Sequence, residues 1–268
     1  RGDGTFEDAS LFSGIGVNRD GRPEAGRGLT VGDVDGDLDP DLAVTNFDVE
    51  TNTLYRNLGA MSFEDVSSAS GFGLPSFNQL AFGIAAVDLD QDGDLDFYIS
   101  NGHIFEQPKR DNVSFRQRDQ VLIGNGSGRF SELRCQQLDD LRTVGRGLAV
   151  ADYDNDGDPD FGLQACGGPF RLLANRKDSE HWLGLALRGQ SPNTEAIGTK
   201  VVLTSSNSEQ ARWVHAGDSY QSSSDRRPVF ALPTGEAVEK VTVRWPSGRQ
   251  QSFLNLPPGR YVHLWEPD

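Results

Sequence analysis

Fifteen aspartates confined to three nine-residue stretches set the terms for how this chain can fold. The stretches are "DVDGDLDPD" from Asp33, "DLDQDGDLD" from Asp88 and "DYDNDGDPD" from Asp152. Each carries aspartate at its first, third, fifth, seventh and ninth positions. In order these are Asp33, Asp35, Asp37, Asp39 and Asp41; Asp88, Asp90, Asp92, Asp94 and Asp96; and Asp152, Asp154, Asp156, Asp158 and Asp160. Neighbouring carboxylates repel, and aspartate and glycine disfavour both helix and strand. Local folding preference therefore does not explain the pattern, and something must offset the repulsion.

The flanks repeat with the loops. Gly28, Gly83 and Gly147 each stand five residues before a first aspartate, and Asn46, Asn101 and Ala165 stand five after a last one. Short apolar runs precede the loops ("GLTVG", "GIAAV", "GLAVA") and follow them ("DLAVTN", "DFYISN", "DFGLQA"). "TLYRNLGAMSFEDVS" (53–67) and "QVLIGNGSGRFSEL" (120–133) then each read as strand, glycine-containing turn and strand. A unit of four short strands recurring every 55 to 64 residues is a β-propeller blade. The expected class is all-β: a partial propeller of about three four-stranded blades over residues 1–176, then a small β-sandwich-like domain over 177–268. No amphipathic helix of three turns is legible in 1–176.

The net charge of −15 belongs to the loops. Outside them the remaining 25 acidic residues match the 25 Lys plus Arg. Phosphate recognition needs a basic patch, so nucleic acid is excluded as a partner. No run approaches the ~18 apolar residues of a membrane span, and no signal peptide is visible at "RGDGTFEDAS".

Alternating carboxylates around a glycine turn suit a hard cation. Side chains at positions 1, 3, 5 and 9 can converge, with the carbonyl of position 7 between them. Calcium takes six to eight oxygens in flexible geometry, whereas zinc would want His or Cys. The expected cofactor is Ca2+, two to three ions, with the fifteen loop aspartates as the ligand set; a solvated acidic turn is the alternative for any single loop. The loops differ at position 6. Gly93 and Gly157 supply the freedom for φ > 0 there, while loop one has Leu38, with Gly36 at position 4. Site one is expected to be distorted or weaker.

With "G-[LI]-x-x-x-D-x-D-x-D-G-D-x-D" and "LYRN-x-G-x-x-x-F" in view, residues 1–176 resemble FG-GAP or VCBS-type repeats, the blades of integrin α subunits. Residues 178–268 resemble the ASPIC/UnbV domain through "HWLGLALRG", "AIGTKVVL", "VHAGDSYQSSSD" and "VEKVTVRWPSG". The pairing is similar to that of the cartilage acidic protein family and its bacterial relatives. It implies a secreted, calcium-binding, non-enzymatic protein. The chain departs from it in having three Asp loops and no EGF-like segment. Within the C-terminal part, Trp182, Trp213, Trp245 and Trp265 are expected mainly in the core, and "SYQSSSD" (219–225) reads as a long polar loop.

Catalysis finds little support. His103, His181, His215 and His263 are scattered without metal spacing, and no serine has a nucleophile-elbow context. The rivals to a binding or scaffolding role are a Ca2+-dependent propeller phosphoesterase, such as a phytase, and a structural matrix or surface-layer component. The expected location is secreted, extracellular or periplasmic, with a protein or glycan ligand. Adhesion through "RGD" (1–3) is a weak reading, because "GDGTFED" matches "GAMSFED" (59–65) as the tail of a repeat. Sequons stand at Asn112 and Asn125. Cys135 and Cys166 would close a loop of about 30 residues if bridged, a restraint of roughly 3 kcal/mol; two free thiols are the alternative. Finally, "GTFED" (4–8) reads as an outermost strand without its blade, and "FRLLANR" (170–176) lacks a following outer strand. Upstream sequence or a partner chain is therefore expected to supply missing blades, the alternative being that the C-terminal domain covers the open edge.

Overall fold

The computed structural model describes residues 3–106, 113–177, 181–233 and 235–268. Most of the "RGD" tripeptide and the sequon residue Asn112 lie outside them. The first unit is a meander of β1 (Leu29–Gly32), β2 (Asp41–Val44), β3 (Thr53–Asn57) and β4 (Phe63–Asp65). The second contains β5 (Ala81–Val87), β6 (Asp96–Asn101), a short β7 (Gln117–Arg118), β8 (Gln120–Gly124) and β9 (Phe130–Leu133), with order β5-β6-β8-β9. The third opens with β10 (Arg142–Thr143), which pairs back to β7, and continues as β11 (Gly145–Ala151), β12 (Asp160–Ala165) and β13 (Arg171–Leu173). The C-terminal strands are β14 (Trp182–Arg188), β15 (Lys200–Ser205), β16 (Glu209–Trp213), β17 (Val229–Ala231), β18 (Val238–Arg244), β19 (Gln250–Leu254) and β20 (Arg260–Trp265). They form the sheets β17-β14-β20, in which β14 and β20 are parallel, and β16-β15-β18-β19. Among the described residues, five sheets of three or four strands, with one two-stranded pair, make an all-β, propeller-like arrangement.

Register is the same in all three loops. Gly32 faces Asp41, Val87 faces Asp96 and Ala151 faces Asp160, so each nine-residue loop is clamped at its ninth position by the inner strand. The second sheet is buried on both faces. Ile84, Phe97 and Ile99 pack with Leu54, Phe72 and Phe130 toward the first unit, while Ala85 and Tyr98 pack with Leu148, Phe161 and Leu163 toward the third. That is why "DFYISN" is apolar on both sides of its alternation. Burying side chains of this size contributes about 1.5–3 kcal/mol each. In the C-terminal part, Leu183, Leu185 and Leu264 of one sheet share a core with Val201, Leu203, Val241 and Val243 of the other. Trp182 and Trp245 are buried, as expected, whereas Trp265 is exposed.

The glycine five residues before each loop marks where inner strands meet. A Cβ on Gly28 would lie 2.1 Å from the Phe82 carbonyl oxygen, and one on Gly83 would lie 2.5 Å from the Leu148 Cβ. At Gly147 the neighbour is Ser222 Oγ, at 3.2 Å, in the polar run of the C-terminal part.

That run is a loop, as expected, with Gln221, Ser223 and Asp225 exposed. It also bonds to the inner strands, in line with the expected alternative that the C-terminal domain covers an open edge and not with cover by a partner chain. Ser219 exchanges N–H···O bonds with Leu29, at 2.7 and 3.2 Å, and accepts the Ile84 N–H on its Oγ at 3.0 Å. Ser224 Oγ accepts the Val150 N–H, and the Asp225 N–H donates to the Val150 carbonyl. One polar segment thus reaches β1, β5 and β11, and Tyr220 stands edge-on to Phe82. The chain's own C-terminal part covers these strands.

Two corrections follow. Residues 4–8 form no strand, and Phe6 is almost wholly exposed. Cys135 and Cys166 are free thiols. Cys135 precedes the short helix α1 (Gln136–Asp140), beyond the outer strand of the second unit, whereas Cys166 is exposed at the end of the middle strand of the third.

Candidate metal centre

The three loops are built on one hydrogen-bond scheme. The first aspartate turns its carboxylate inward to cap the loop: Asp33 accepts the Gly36 and Leu38 N–H groups, Asp88 those of Asp92 and Gly93, and Asp152 those of Asp156 and Gly157. The fifth accepts the N–H of the seventh, at 2.8 to 3.0 Å. The ninth ties the loop to its sheet. Asp41 accepts N–H from Val34 and Asn57, Asp96 from Leu89 and Gly124, and Asp160 from Tyr153 and Asn175. In each case one donor is the second loop residue and the other lies beyond the next strand.

The third position is different. In the first two loops its Oδ1, on Asp35 and Asp90, is buried with no hydrogen-bond partner among the described residues. An unsatisfied buried carboxylate oxygen costs several kcal/mol. Around it the carboxylates converge. Ligand oxygens of Asp33, Asp35 and Asp37, of Asp88, Asp90 and Asp96, and of Asp152, Asp154 and Asp160 lie within 4.8 Å of one another in each group. The donor set is oxygen only, so it fits a hard divalent cation and not zinc. Burial pushes Asp41 and Asp88 up to about 7 and Asp96 to about 6, with neighbouring carboxylates adding to the rise. Burial likewise raises Asp33, Asp35, Asp90, Asp94 and Asp160. A cation at each cluster would remove that penalty.

Not every loop aspartate joins a cluster. Loop one gathers positions 1, 3 and 5, whereas loops two and three gather 1, 3 and 9; Asp41, Asp92 and Asp156 therefore stand outside. The seventh residues face elsewhere. Asp39 is exposed, Asp94 lies against Gly126 of the β8–β9 turn, and Asp158 is buried, accepting the Gln91 side-chain amide and the Lys177 N–H.

Each loop needs two left-handed residues, at positions 4 and 6. They are Gly36 (φ 79°) and Leu38 (φ 67°), Gln91 (φ 58°) and Gly93 (φ 100°), and Asn155 (φ 61°) and Gly157 (φ 94°). The strain at Leu38 was legible; the matching demand at position 4 was not, because Gln91 gives no hint of it. Asparagine tolerates this region best among non-glycine residues, so loop three is the least strained.

Sequence reading also missed the groups that the C-terminal sheets bring to the loops. Lys200 Nζ donates to the Leu38 carbonyl, and Arg212 lies where Asp88, Asp33 and Asp94 act on its charge. Tyr261 donates its hydroxyl to Asp152. Nothing in a strand such as "GRYVHLW" signals such a role. The histidines do not converge: His103 lies beside Asp48, 3.7 Å away, and His263 is exposed.

Residues 33–99, which include loops one and two, match the family model for an FG-GAP-like repeat, and residues 189–268 match that for ASPIC and UnbV. The chain is 28% identical over 260 residues to cartilage acidic protein 1 of Homo sapiens and 27% identical to that of Mus musculus. Each alignment covers 94% of this chain but only 37–38% of the relative, so the chain spans a little over a third of the length of these proteins. By sequence, this chain is similar to an FG-GAP-like repeat over residues 33–99 and to an ASPIC and UnbV domain over residues 189–268.

Proposed function

We propose that the chain is a calcium-binding, non-enzymatic binding or scaffolding module, its propeller-like sheets held by Ca2+ in the three aspartate loops. The observation that carries this is the pair of buried, unpartnered Oδ1 atoms of Asp35 and Asp90 at the centre of converging carboxylates. The oxygen-only shell and the flexible loop suit calcium better than magnesium, which demands a near-ideal octahedron. Residues at positions 1 and 3 would hold the ion in every loop, with Asp37, Asp96 and Asp160 completing the three groups. The name of the relatives, cartilage acidic protein, supports an extracellular setting, with a protein or glycan as the ligand. Adhesive or matrix roles belong to the same reading. Among the described residues, no helix is long and apolar enough to cross a membrane.

Calorimetric titration of Ca2+ into chelator-treated protein tests it, with melting curves taken in parallel. Saturating calcium should stabilise by about 2.7 kcal/mol at a hundredfold excess over Kd for each site. Asp88→Ala and Asp152→Ala should lower the melting temperature more than Asp33→Ala does. A curve that is the same in calcium and in EDTA defeats the proposal. Turnover of phosphoesters in calcium, abolished by these variants, would favour the phosphoesterase instead.

A further inference from the structure

Loop three is held from outside its own sheet. Asp152 Oδ2 accepts not only the Gly157 N–H but also the hydroxyl of Tyr261, at 2.7 Å, from β20. The hydrogen bonds to Asp33 and Asp88 come, among the described residues, from the backbone of their own loops. Tyr261 is itself immobilised. Its ring lies 4.1 Å from the Arg227 guanidinium and edge-on to Trp182 at 5.2 Å, and it covers Gly184 so closely that a Cβ there would meet it at 2.4 Å. Arg227 in turn donates to the Asp152 carbonyl at 3.0 Å and to Asn155 Oδ1 at 2.7 Å. The Trp182 indole sits where a Cβ on Gly157 would be, 2.3 Å away. Three side chains of the C-terminal part thus contact loop three at its first, fourth and sixth positions.

We infer that Tyr261 is a positioning residue for a cation in loop three, and that ion binding there is linked to the seating of β14 and β20 on the third unit. This rests on the reading of the loops as cation sites. With Asp156, Gly157 and Tyr261 on three of its lone pairs, the Asp152 carboxylate can aim the remaining one at the point shared with Asp154 and Asp160 only in one plane. The Tyr261 hydroxyl fixes that plane, as outer hydrogen bonds do for metal ligands generally. Linkage is reciprocal: whatever the seated sheet adds to ion affinity, the ion adds to seating.

Tyr261→Phe keeps the ring and deletes the hydroxyl. Calcium titrated into the chelator-treated full chain should bind one site about tenfold more weakly in this variant, the loss expected when a charged acceptor loses a hydrogen bond. The other sites should be unchanged. Terbium luminescence excited through tryptophan should lose its Trp182-dependent part at the same concentrations, with Trp182→Phe marking that part. In the unmodified chain, hydrogen exchange of residues 182–188 and 260–265 should speed up on chelation more than that of residues 200–205. Equal affinities in wild type and Tyr261→Phe, or β14 and β20 equally protected with and without chelator, would overturn the inference and leave the loops as cation sites. Failure of the wild type to bind calcium at all would instead overturn the loop reading, and this inference with it. The exchange measurement needs no variant, so it decides even if Tyr261→Phe does not fold.

Discussion

At the scale of single residues, strain and burial make opposite demands on neighbouring positions. Leu38 holds φ 67° where loops two and three have glycine. A left-handed leucine costs about 1–2 kcal/mol, part of which glycine's backbone entropy returns. Leu38→Gly should therefore stabilise the chain by up to about 1 kcal/mol and tighten site one, read as urea midpoint and calcium affinity. Gly157→Ala should do the reverse and more, because its Cβ would enter the Trp182 ring; a loss above about 2 kcal/mol is expected from overpacking plus strain. Away from the loops, Asp119 is buried and accepts the Tyr98 hydroxyl and the Asn101 N–H. Burial pushes it up to about 6. A raised folded-state pKa means that its contribution is fully present below about pH 4 and is lost as pH rises through 6. Asp119→Asn stays neutral and can keep both contacts, with the tyrosine hydroxyl turning to accept. It should change little at pH 4 and gain roughly 2 kcal/mol at pH 8, measured by urea denaturation at both.

At the scale of elements, the run 218–225 shows how a segment without apolar periodicity becomes structural. Its serines supply the donors and acceptors that the inner strands lack. Ser219→Ala would strand the buried Ile84 N–H, at a cost of about 1–3 kcal/mol. A solvent-exposed loop serine would give a change within about 0.5 kcal/mol, so equilibrium unfolding separates the two readings. Strand β6 is the contrasting case. Its apolar residues Phe97 and Tyr98 pack into different clusters, one on each face of the sheet.

At the scale of the whole molecule, electrostatics divides along the loops. The net charge of −15 equals their fifteen aspartates, and several of these are buried. Burial raises Asp41 and Asp88 to about 7, Asp88 in spite of the nearby Arg212. Their protonated forms therefore favour the folded chain below about pH 4, and that contribution fades as pH rises through 7. In chelator the melting temperature should fall between pH 5 and pH 8 and rise with added salt, which screens the exposed part of the repulsion. In calcium both trends should flatten. Melting curves at two pH values and two salt concentrations, with and without EDTA, check this.

The nine-residue loops, their flanking strands and the weak point at Leu38 were readable in the sequence, because each is local: a carboxylate spacing, an apolar alternation and a backbone angle that side chains resist. The family resemblance followed from the same stretches. Which carboxylates converge was readable only in part, since loop one closes through Asp37 and the others through Asp96 and Asp160. The role of the polar run, the free state of Cys135 and Cys166, and the reach of Tyr261 to Asp152 were decided by tertiary structure alone. The polar run and Tyr261 join residues from separate sheets, 109 positions apart for Tyr261 and Asp152 and 135 for Ser219 and Ile84. Hydrogen bonds across such distances leave no period in the chain, because they depend on how whole sheets are stacked and not on what stands three or four residues away.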